Sequence, residues 1–222
     1  MERRISDSVR DIPPERLPIL VELSGMPRLG KTVFCDSLVD LVRKSGRTVR
    51  LVAKATAECP IADRWSCEYS TWSLLSTVRD YLEARELGID VLVADRGLFD
   101  AVAWLKVKQA RGMCPPQTVS ALRALATNGP WRSNLAAVLV FLGSKELVLS
   151  RALERRLYEG PSDVTTGETL GELEEAIRDE TNEWNVVDGT VKLLTVGEEP
   201  LRVLLDAAAE AAVSAFERYS RR

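Results

Sequence analysis

The sequence contains no histidine, although it is 222 residues long. This absence excludes the commonest general base of enzymes and every Ser-His or Cys-His nucleophilic pair. The chain also has only four cysteines, none in C-x-x-C spacing, so a zinc site is not indicated. Any proton transfer must therefore involve an aspartate or a glutamate. The four cysteines, without paired spacing, fit a reducing compartment best.

Long apolar runs and a strong net charge are missing as well. No stretch approaches the roughly 18 apolar residues of a membrane span, and the N-terminal MERRISDSVRDIPPERLP lacks the apolar region of a signal peptide. The net charge is only −3, which argues against avid non-specific binding to nucleic acid, although a local basic patch is still allowed. We expect a cytoplasmic protein with no membrane partner.

Five short apolar segments alternate with longer segments of helical periodicity. Their continuous hydrophobicity predicts strands that are buried on both faces, as in a parallel sheet covered by helices. The predicted strands span residues 18–24, 48–54, 90–95, 135–142 and 191–196. Helices are predicted over residues 31–46, 68–87, 98–111, 117–127, 145–158, 168–184 and 200–219.

These elements indicate one α/β domain over residues 18–222, preceded by a flexible arm or a short extra helix over residues 1–17. The domain is of the doubly wound kind. In such domains ligands bind beyond the carboxyl ends of the strands.

The stretch VELSGMPRLGKTVF, residues 21–34, has the pattern G-x-x-x-x-G-K-T between a predicted strand and a predicted helix. In that context the pattern indicates a phosphate-binding P-loop, whose lysine reaches the β and γ phosphates and whose threonine hydroxyl binds Mg²⁺. The motif thus predicts a site for ATP and Mg²⁺. The predicted donor-site residues are Gly25, Met26, Pro27, Arg28, Leu29, Gly30, Lys31, Thr32 and Val33.

Two carboxylates follow other strands at the same edge of the sheet. Glu58 comes shortly after the second strand, and Asp95 ends the third strand and is followed by Arg96. One carboxylate could hold Mg²⁺ and the other could accept a hydroxyl proton; the sequence leaves open which does which. Plainer alternatives are a helix cap for Asp95, a solvated loop for Glu58 and a structural salt bridge for Arg96.

A group of arginines follows the fourth strand in GSKELVLSRALERRLYEG, within a predicted lid around residues 144–165. Closing such a lid over phosphates would supply positive charge and exclude water. The alternative is a solvated helix in which the arginines pair with Glu154 and Glu159. The predicted lid arginines are Arg151, Arg155 and Arg156, the last beside the donor.

Aromatic side chains cluster in DRWSCEYSTWSLL and RGLFDAVAW. A flat acceptor such as a nucleobase could stack on them, although aromatic residues in helices more often belong to the core. The candidate acceptor residues are Trp65, Tyr69, Trp72, Phe99 and Trp104, with the polar residues Asp63, Arg64, Arg96 and Asp100.

Taken in order, the P-loop, "ECP", "ADRG" and "RALERR" resemble the P-loop nucleoside and nucleotide kinases, especially the thymidylate kinase and deoxynucleoside kinase group, over residues 18–219. The resemblance implies a three-layer fold with a five-stranded parallel sheet in the order 2-3-1-4-5. It also implies that Glu58 is a base or acceptor-site carboxylate, that Asp95 is a magnesium or base residue and that Arg96 is a clamp. Gly197, Glu198 and Glu199 would lie near the adenine.

The chain also departs from that group. Gly97 stands where thymidylate kinases typically place an aromatic residue, and the glycine and arginine pattern after their "REP" is missing. Arg28 in "PRLGK" resembles the arginine of the "DRxGK" loops of some thymidylate kinases, in which it points towards the transferring phosphate.

We therefore expect a Mg²⁺-dependent phosphotransferase that moves the γ-phosphoryl group of ATP to a small nucleoside-like acceptor. Two alternatives are a nucleotide hydrolase or switch, and a kinase of nucleic acid acting at a 5′-hydroxyl or a modified base. No N-K-x-D motif for guanine is found. The acceptor, the preference for ATP over GTP and the formation of a homodimer are left open.

Overall fold

A computed structural model describes residues 2–14, 18–52, 59–159, 166–188, 190–197 and 201–221 of the chain. The strands are β1 (Ile19–Gly25), β2 (Val49–Val52), β3 (Val91–Asp95), β4 (Leu135–Gly143) and β5 (Val191–Val196). The helices are α1 (Glu2–Arg10), α2 (Lys31–Lys44), α3 (Cys67–Glu86), α4 (Leu98–Ala110), α5 (Pro116–Asn128), α6 (Pro130–Ser133), α7 (Lys145–Glu159), α8 (Gly167–Asp188) and α9 (Leu201–Arg221).

The five strands form one parallel sheet in the order β2-β3-β1-β4-β5. Strand β1 lies in the middle, so the loop that follows it opens between β3 and β4. In the register of the sheet, Leu23 lies opposite Asp95 and Gly25 lies opposite Phe141. The carboxyl ends of β1, β3 and β4 therefore meet at one edge, which confirms the predicted fold and strand order.

Helices cover both faces of the sheet. Helices α1, α2 and α9 contact one another, and α3, α4 and α8 are linked through contacts of α4 with the other two. Strands β1, β3 and β4 are buried along almost their whole length because they lie between these two layers. Their near-continuous Val, Leu and Ile content follows from burial on both faces.

The two edge strands differ from the prediction. Strands β2 and β5 are only partly buried, and Leu51 and Leu193 are each about 40% exposed. An edge strand has a neighbour on one side only, so the helical layers cover it less completely than they cover the centre. The expected burial on both faces is thus found in the three central strands and is wrong for the outer two.

Residues 2–10 form the packed helix α1, so the structure has the short extra helix there and not a flexible arm. Ile5 and Val9 are fully buried, and α1 contacts α2 and α9. Arg4 also donates two 2.9 Å hydrogen bonds to Glu210 of α9. The apolar side chains recur at helical spacing, which gives α1 one face for packing.

None of the helices within the described ranges is both long enough and apolar enough to cross a bilayer.

Candidate active site at the carboxyl ends of β1, β3 and β4

The loop between β1 and α2 has the backbone of a phosphate cradle. Gly25 has a φ of 108°, and a Cβ there would lie 2.2 Å from the carbonyl oxygen of Phe141 on β4. Gly30, with a φ of 89°, is the N-cap of α2 and carries no side-chain cap. The loop therefore runs close against β4, and the positive end of α2, which no side chain caps, is of the kind that binds anions.

Lys31 is the first residue of α2, and its side chain is buried. Its ammonium group donates to the carbonyl oxygens of Gly25, at 3.2 Å, and of Met26. The side chain thus folds back over the loop it follows. A phosphate seated in the loop could replace these carbonyl oxygens as acceptors of the Lys31 ammonium.

Thr32 and Asp95 bring the ends of β1 and β3 together. The Thr32 hydroxyl donates a 2.8 Å hydrogen bond to Oδ2 of Asp95, which is buried at the tip of β3. A hydroxyl and a carboxylate are hard oxygen donors of the kind that Mg²⁺ takes together with substrate phosphates. Within the described residues no group of three or more acidic or cysteine side chains could hold a metal. A Mg²⁺ ion here would therefore take its further ligands from water or from substrate phosphates.

Arg96 lies next to this pair and is held by Asp100. Its guanidinium donates to both carboxylate oxygens of Asp100, at 2.8 and 3.0 Å, and the Ser24 hydroxyl donates to the same carboxylate at 3.0 Å. The salt bridge that was the plainer alternative for Arg96 is thus present. Both hydrogen bonds come from one nitrogen of the guanidinium, so the salt bridge holds Nη1 in place and neutralises part of the charge.

Two arginines adopt left-handed backbone at this edge. Arg28 has a φ of 62° and Arg96 has a φ of 73°, and they are the non-glycine residues with positive φ in the described part of the chain. The backbone N–H of Arg96 donates to Leu23 at 2.9 Å, which fixes the turn. This conformation costs a residue with a side chain roughly 1–2 kcal/mol. Such strain concentrates at functional sites.

Glu22 is a buried carboxylate in the middle of β1 that sequence reasoning missed. Its two oxygens accept from the backbone N–H groups of Gly97, Phe99 and Asp100 at 2.8–3.0 Å. Burial raises its pKa to about 7; the three N–H donors act against this rise, and the nearby Asp100 carboxylate adds to it. The signal in the sequence was a single charged residue inside an otherwise apolar strand.

The hydrogen bonds that Glu22 accepts from the start of α4 bear on whether Asp95 caps that helix. The N-cap of α4 is Gly97, which has no side chain to offer, and Asp95 bonds to Thr32 instead of capping the helix. The plainer alternative for Asp95, a cap of the helix beginning near Leu98, is therefore not the arrangement found. A carboxylate from the neighbouring strand performs that role, and Asp95 contacts the first turn of α2 instead.

The predicted lid reaches the P-loop through Arg151. Its Nη1 donates to the carbonyl oxygen of Arg28 at 3.3 Å, so α7 contacts the loop between β1 and α2. The side chains of Arg155 and Arg156 lie outside the described part of the chain, as do Glu58, Glu198 and Glu199. Their predicted roles stay predictions.

No protein-family model and no curated protein sequence matches this chain. Solved structures do match it: three structures of deoxyadenosine kinase from M. mycoides align over 86% of this chain and 97–98% of their own. Their TM-scores are 0.62 with the products dCMP and a flexible dCDP bound, 0.63 with dATP and 0.59 with dCTP, at 13%, 14% and 14% identity. The chain has the P-loop nucleoside kinase fold. At this identity the likeness concerns the fold.

Of the predicted aromatic acceptor residues on this fold, Phe99 belongs to the core, whereas the three tryptophans are only partly buried. Phe99 is fully buried and its ring meets Trp184 edge-to-face at 5.3 Å, so it belongs to the core and has no exposed ring face for stacking. Trp65 and Trp104 also meet edge-to-face, at 6.0 Å, and both are partly buried. Trp72 is partly buried on α3.

Tyr69 lies on α3, near two of the charged candidates. Burial raises the pKa of its phenol; Arg64 and Arg96 act against this rise, whereas Cys59 and Asp100 add to it. The structure thus brings Tyr69 within electrostatic reach of Arg96 and Asp100. Tyr69 is on α3, Arg96 follows β3 and Asp100 lies in the first turn of α4.

Lys108 is a buried cation behind Tyr69 that the sequence did not single out. Its ammonium donates to the carbonyl oxygen of Ser66 at 2.9 Å and to the Ser70 hydroxyl at 2.6 Å, and lies 5.2 Å from the Tyr69 ring centre. Burial lowers its pKa to about 8. Lys108, on α4, therefore links α4 to the first turn of α3 and packs against Tyr69.

Proposed function

We propose that this chain is a magnesium-dependent phosphotransferase that moves the γ-phosphoryl group of ATP to a small nucleoside- or nucleotide-like acceptor. The observation that carries the proposal is the pair of strained arginines, Arg28 and Arg96, at the carboxyl ends of β1 and β3. A guanidinium binds phosphoryl oxygens through a fixed fork of donors. Retaining two of them in left-handed backbone is costly for a site that only holds a nucleotide.

The donor phosphates would lie in the P-loop from Gly25 to Gly30. Backbone N–H groups and the N-terminus of α2 face them, and the Lys31 ammonium would exchange the carbonyl oxygens of Gly25 and Met26 for phosphate oxygens. The nucleotide-bound M. mycoides enzymes support this assignment only through the shared fold.

Thr32 and Asp95 would hold the Mg²⁺ ion. When bound, the ion neutralises charge on the phosphates. Asp95 already accepts a hydrogen bond from Thr32, so we assign the metal role to Asp95. Glu58, after β2, is then the carboxylate we propose to orient the acceptor and take its proton.

In the proposed step an oxygen of the acceptor attacks the γ phosphorus. A bond forms between that oxygen and phosphorus, the bond from phosphorus to the β–γ bridging oxygen breaks, and ADP leaves with those electrons. A hydroxyl acceptor gives its proton to the carboxylate, whereas a phosphate acceptor attacks without one. Arg28, Arg96 and the lid arginines neutralise the three equatorial oxygens as charge redistributes.

The acceptor would lie on the side of Arg96 that carries Tyr69 and Asp100. Arg96 donates to Asp100 at 2.8 Å and Ser24 also donates to Asp100, so the side chains of Arg96 and Asp100 would be in position before the acceptor binds. Preorganisation is the main means by which an enzyme stabilises a charged transition state without reorganising during the reaction.

A screen with γ-labelled ATP tests the proposal. Nucleosides, nucleoside monophosphates and oligonucleotides are offered separately, and label is followed into product and into free phosphate. We expect label in a nucleoside or nucleoside monophosphate product. Release of free phosphate at a rate that no acceptor changes would favour a hydrolase or switch. Transfer to oligonucleotides alone, falling steeply with salt, would favour a kinase of nucleic acid.

A further inference from the structure

We infer that Glu22 is a positioning residue for phosphoryl transfer, which holds the Asp95–Arg96 segment in place by capping α4 from the neighbouring strand. The inference rests on the proposed function, since it concerns the residues that function uses. Glu22 itself touches neither Arg96 nor the P-loop through any hydrogen bond within the described chain; its described hydrogen bonds go to the backbone of Gly97, Phe99 and Asp100.

The geometry is that of a helix cap supplied across the sheet. The first N–H groups of a helix have no partner inside the helix, and they are usually satisfied by the side chain of the N-cap residue. In α4 the N-cap is Gly97, and Glu22 takes over: Oε1 accepts from Gly97 at 3.0 Å and Asp100 at 2.8 Å, and Oε2 accepts from Phe99 at 3.0 Å.

The carboxylate of Glu22 lies in the space that a side chain at position 97 would need. A Cβ at position 97 would lie 3.0 Å from both Cδ and Oε2 of Glu22, and 3.4 Å from the Cβ of Ala94. The φ of Gly97 is −152°, outside the left-handed region, so crowding by the carboxylate is a reason for glycine here that does not depend on a positive φ. This explains why the chain has glycine after Asp95-Arg96 where the resemblance leads one to expect an aromatic side chain.

The capped turn carries the groups that face the donor. Arg96 immediately precedes the cap and is strained, and its ion-pair partner Asp100 is one of the residues whose N–H group Glu22 binds. Asp95, one residue earlier, bonds to Thr32 of the P-loop. A shift of this first turn would therefore move the metal carboxylate and the acceptor-side arginine together, and small displacements of such groups reduce rates strongly.

The cost of Glu22 also points to a role beyond stability. Its side chain is completely buried, and burial raises its pKa to about 7, so at higher pH the fold holds a charge that it disfavours. A merely structural cap could be supplied at lower cost by serine at position 97. A neutral residue at position 22 would relieve the burial cost.

The test compares wild type with Glu22→Gln at pH 8, where Glu22 is mostly ionised. Glutamine keeps the shape and one acceptor oxygen but places an NH₂ group against one of the three N–H donors. We expect turnover to fall about tenfold or more, with the Kd for ATP within about twofold and the Tm not lowered. Unchanged turnover would overturn the inference, and so would a parallel loss of turnover, ATP affinity and Tm.

A second pair of variants moves the cap to its usual place. Glu22→Ala removes the carboxylate, and Gly97→Ser alone should clash with it, so both single variants should lose turnover. In the double variant the new serine side chain at position 97 has room and can accept from Phe99 or Asp100 as an ordinary N-cap. We expect the double variant to be more active than either single one. A double variant no better than the worse single variant would contradict the inference.

Amide hydrogen exchange separates this inference from the proposed function. Exchange at Phe99 and Asp100 should speed up in Glu22→Ala and slow again in the double variant. If wild type transfers phosphate but Glu22→Gln does so equally well, the inference fails and the proposed function stands. If wild type transfers to no acceptor, the proposed function fails, and the positioning role fails with it even where the exchange data show the cap.

Discussion

Replacing Arg28 with glycine removes a guanidinium from the P-loop without straining the backbone there. Arg28 has a φ of 62°, which costs a residue with a side chain roughly 1–2 kcal/mol, whereas glycine adopts it freely. Glycine also gives the unfolded chain more freedom, which offsets about 0.4–1 kcal/mol of the gain. We therefore expect Arg28→Gly to change the free energy of unfolding by no more than about 1 kcal/mol, or roughly 2–4 °C in Tm.

The same substitution should strongly reduce the rate of phosphoryl transfer. Charge placed for the transition state acts on turnover, and removing one such donor typically costs about a hundredfold or more. ATP binding depends mainly on the loop amides and Lys31, so its Kd should change by less than about fivefold. The assay is steady-state transfer from labelled ATP, with the Kd measured by calorimetry and the Tm by thermal unfolding.

Arg28→Ala is the matched control, because it removes the same guanidinium and keeps a Cβ in left-handed backbone. It should lose turnover as Arg28→Gly does, but melt about 2–4 °C lower than the glycine variant. The reasoning would be refuted if Arg28→Gly kept wild-type turnover, or if turnover and ATP affinity fell by equal factors.

Three further predictions concern the same edge of the sheet. Gly25→Ala should unfold far more easily than wild type, by at least about 3 kcal/mol in denaturant titration, because the new Cβ would meet the Phe141 carbonyl at 2.2 Å with φ at 108°; wild-type stability would contradict the close packing. Asp95→Asn should raise the Mg²⁺ concentration for half-maximal turnover about tenfold or more while leaving metal-free ATP binding unchanged; an unchanged Mg²⁺ titration would contradict the metal role. Glu22→Gln should make the free energy of unfolding less dependent on pH. Because the pKa of Glu22 is raised to about 7, its contribution to stability is complete below pH 4.5 and is lost as the pH rises to 7, so the variant should gain up to about 3 kcal/mol relative to wild type between pH 4.5 and 8. Stability curves that run parallel for the two proteins would contradict the buried charge.

The fold was predictable because its signals are local. The central strands are continuous apolar runs bounded by turns, and the P-loop pattern directly joins one of them to an amphipathic helix, so periodicity and motif agree. Helix α4 was predicted over residues 98–111 and is found over Leu98–Ala110. The partial exposure of β2 and β5 depends on which strands lie at the sheet edges, a fact that runs of hydrophobic residues do not encode.

The site was predictable only in part, because its remaining features join distant residues. The Glu22 cap links positions 75 to 78 apart in the chain, and no spacing rule connects a strand carboxylate to a helix that begins after a later strand. Phe99 could not be separated from a stacking platform because its partner, Trp184, lies on another helix. The burial of Lys108 likewise depends on α3 packing across α4.

Acceptor-dependent transfer of labelled γ-phosphate by Lys31→Ala, wild type and Lys44→Ala tests the central claim most directly. Lys44 is an exposed lysine on the same helix, paired with Glu2 at 3.6 Å, so its loss should leave transfer unchanged. Lys31 is buried at the P-loop, and we expect its loss to reduce transfer at least about a hundredfold with the fold intact by circular dichroism. Wild-type transfer by Lys31→Ala would contradict the account.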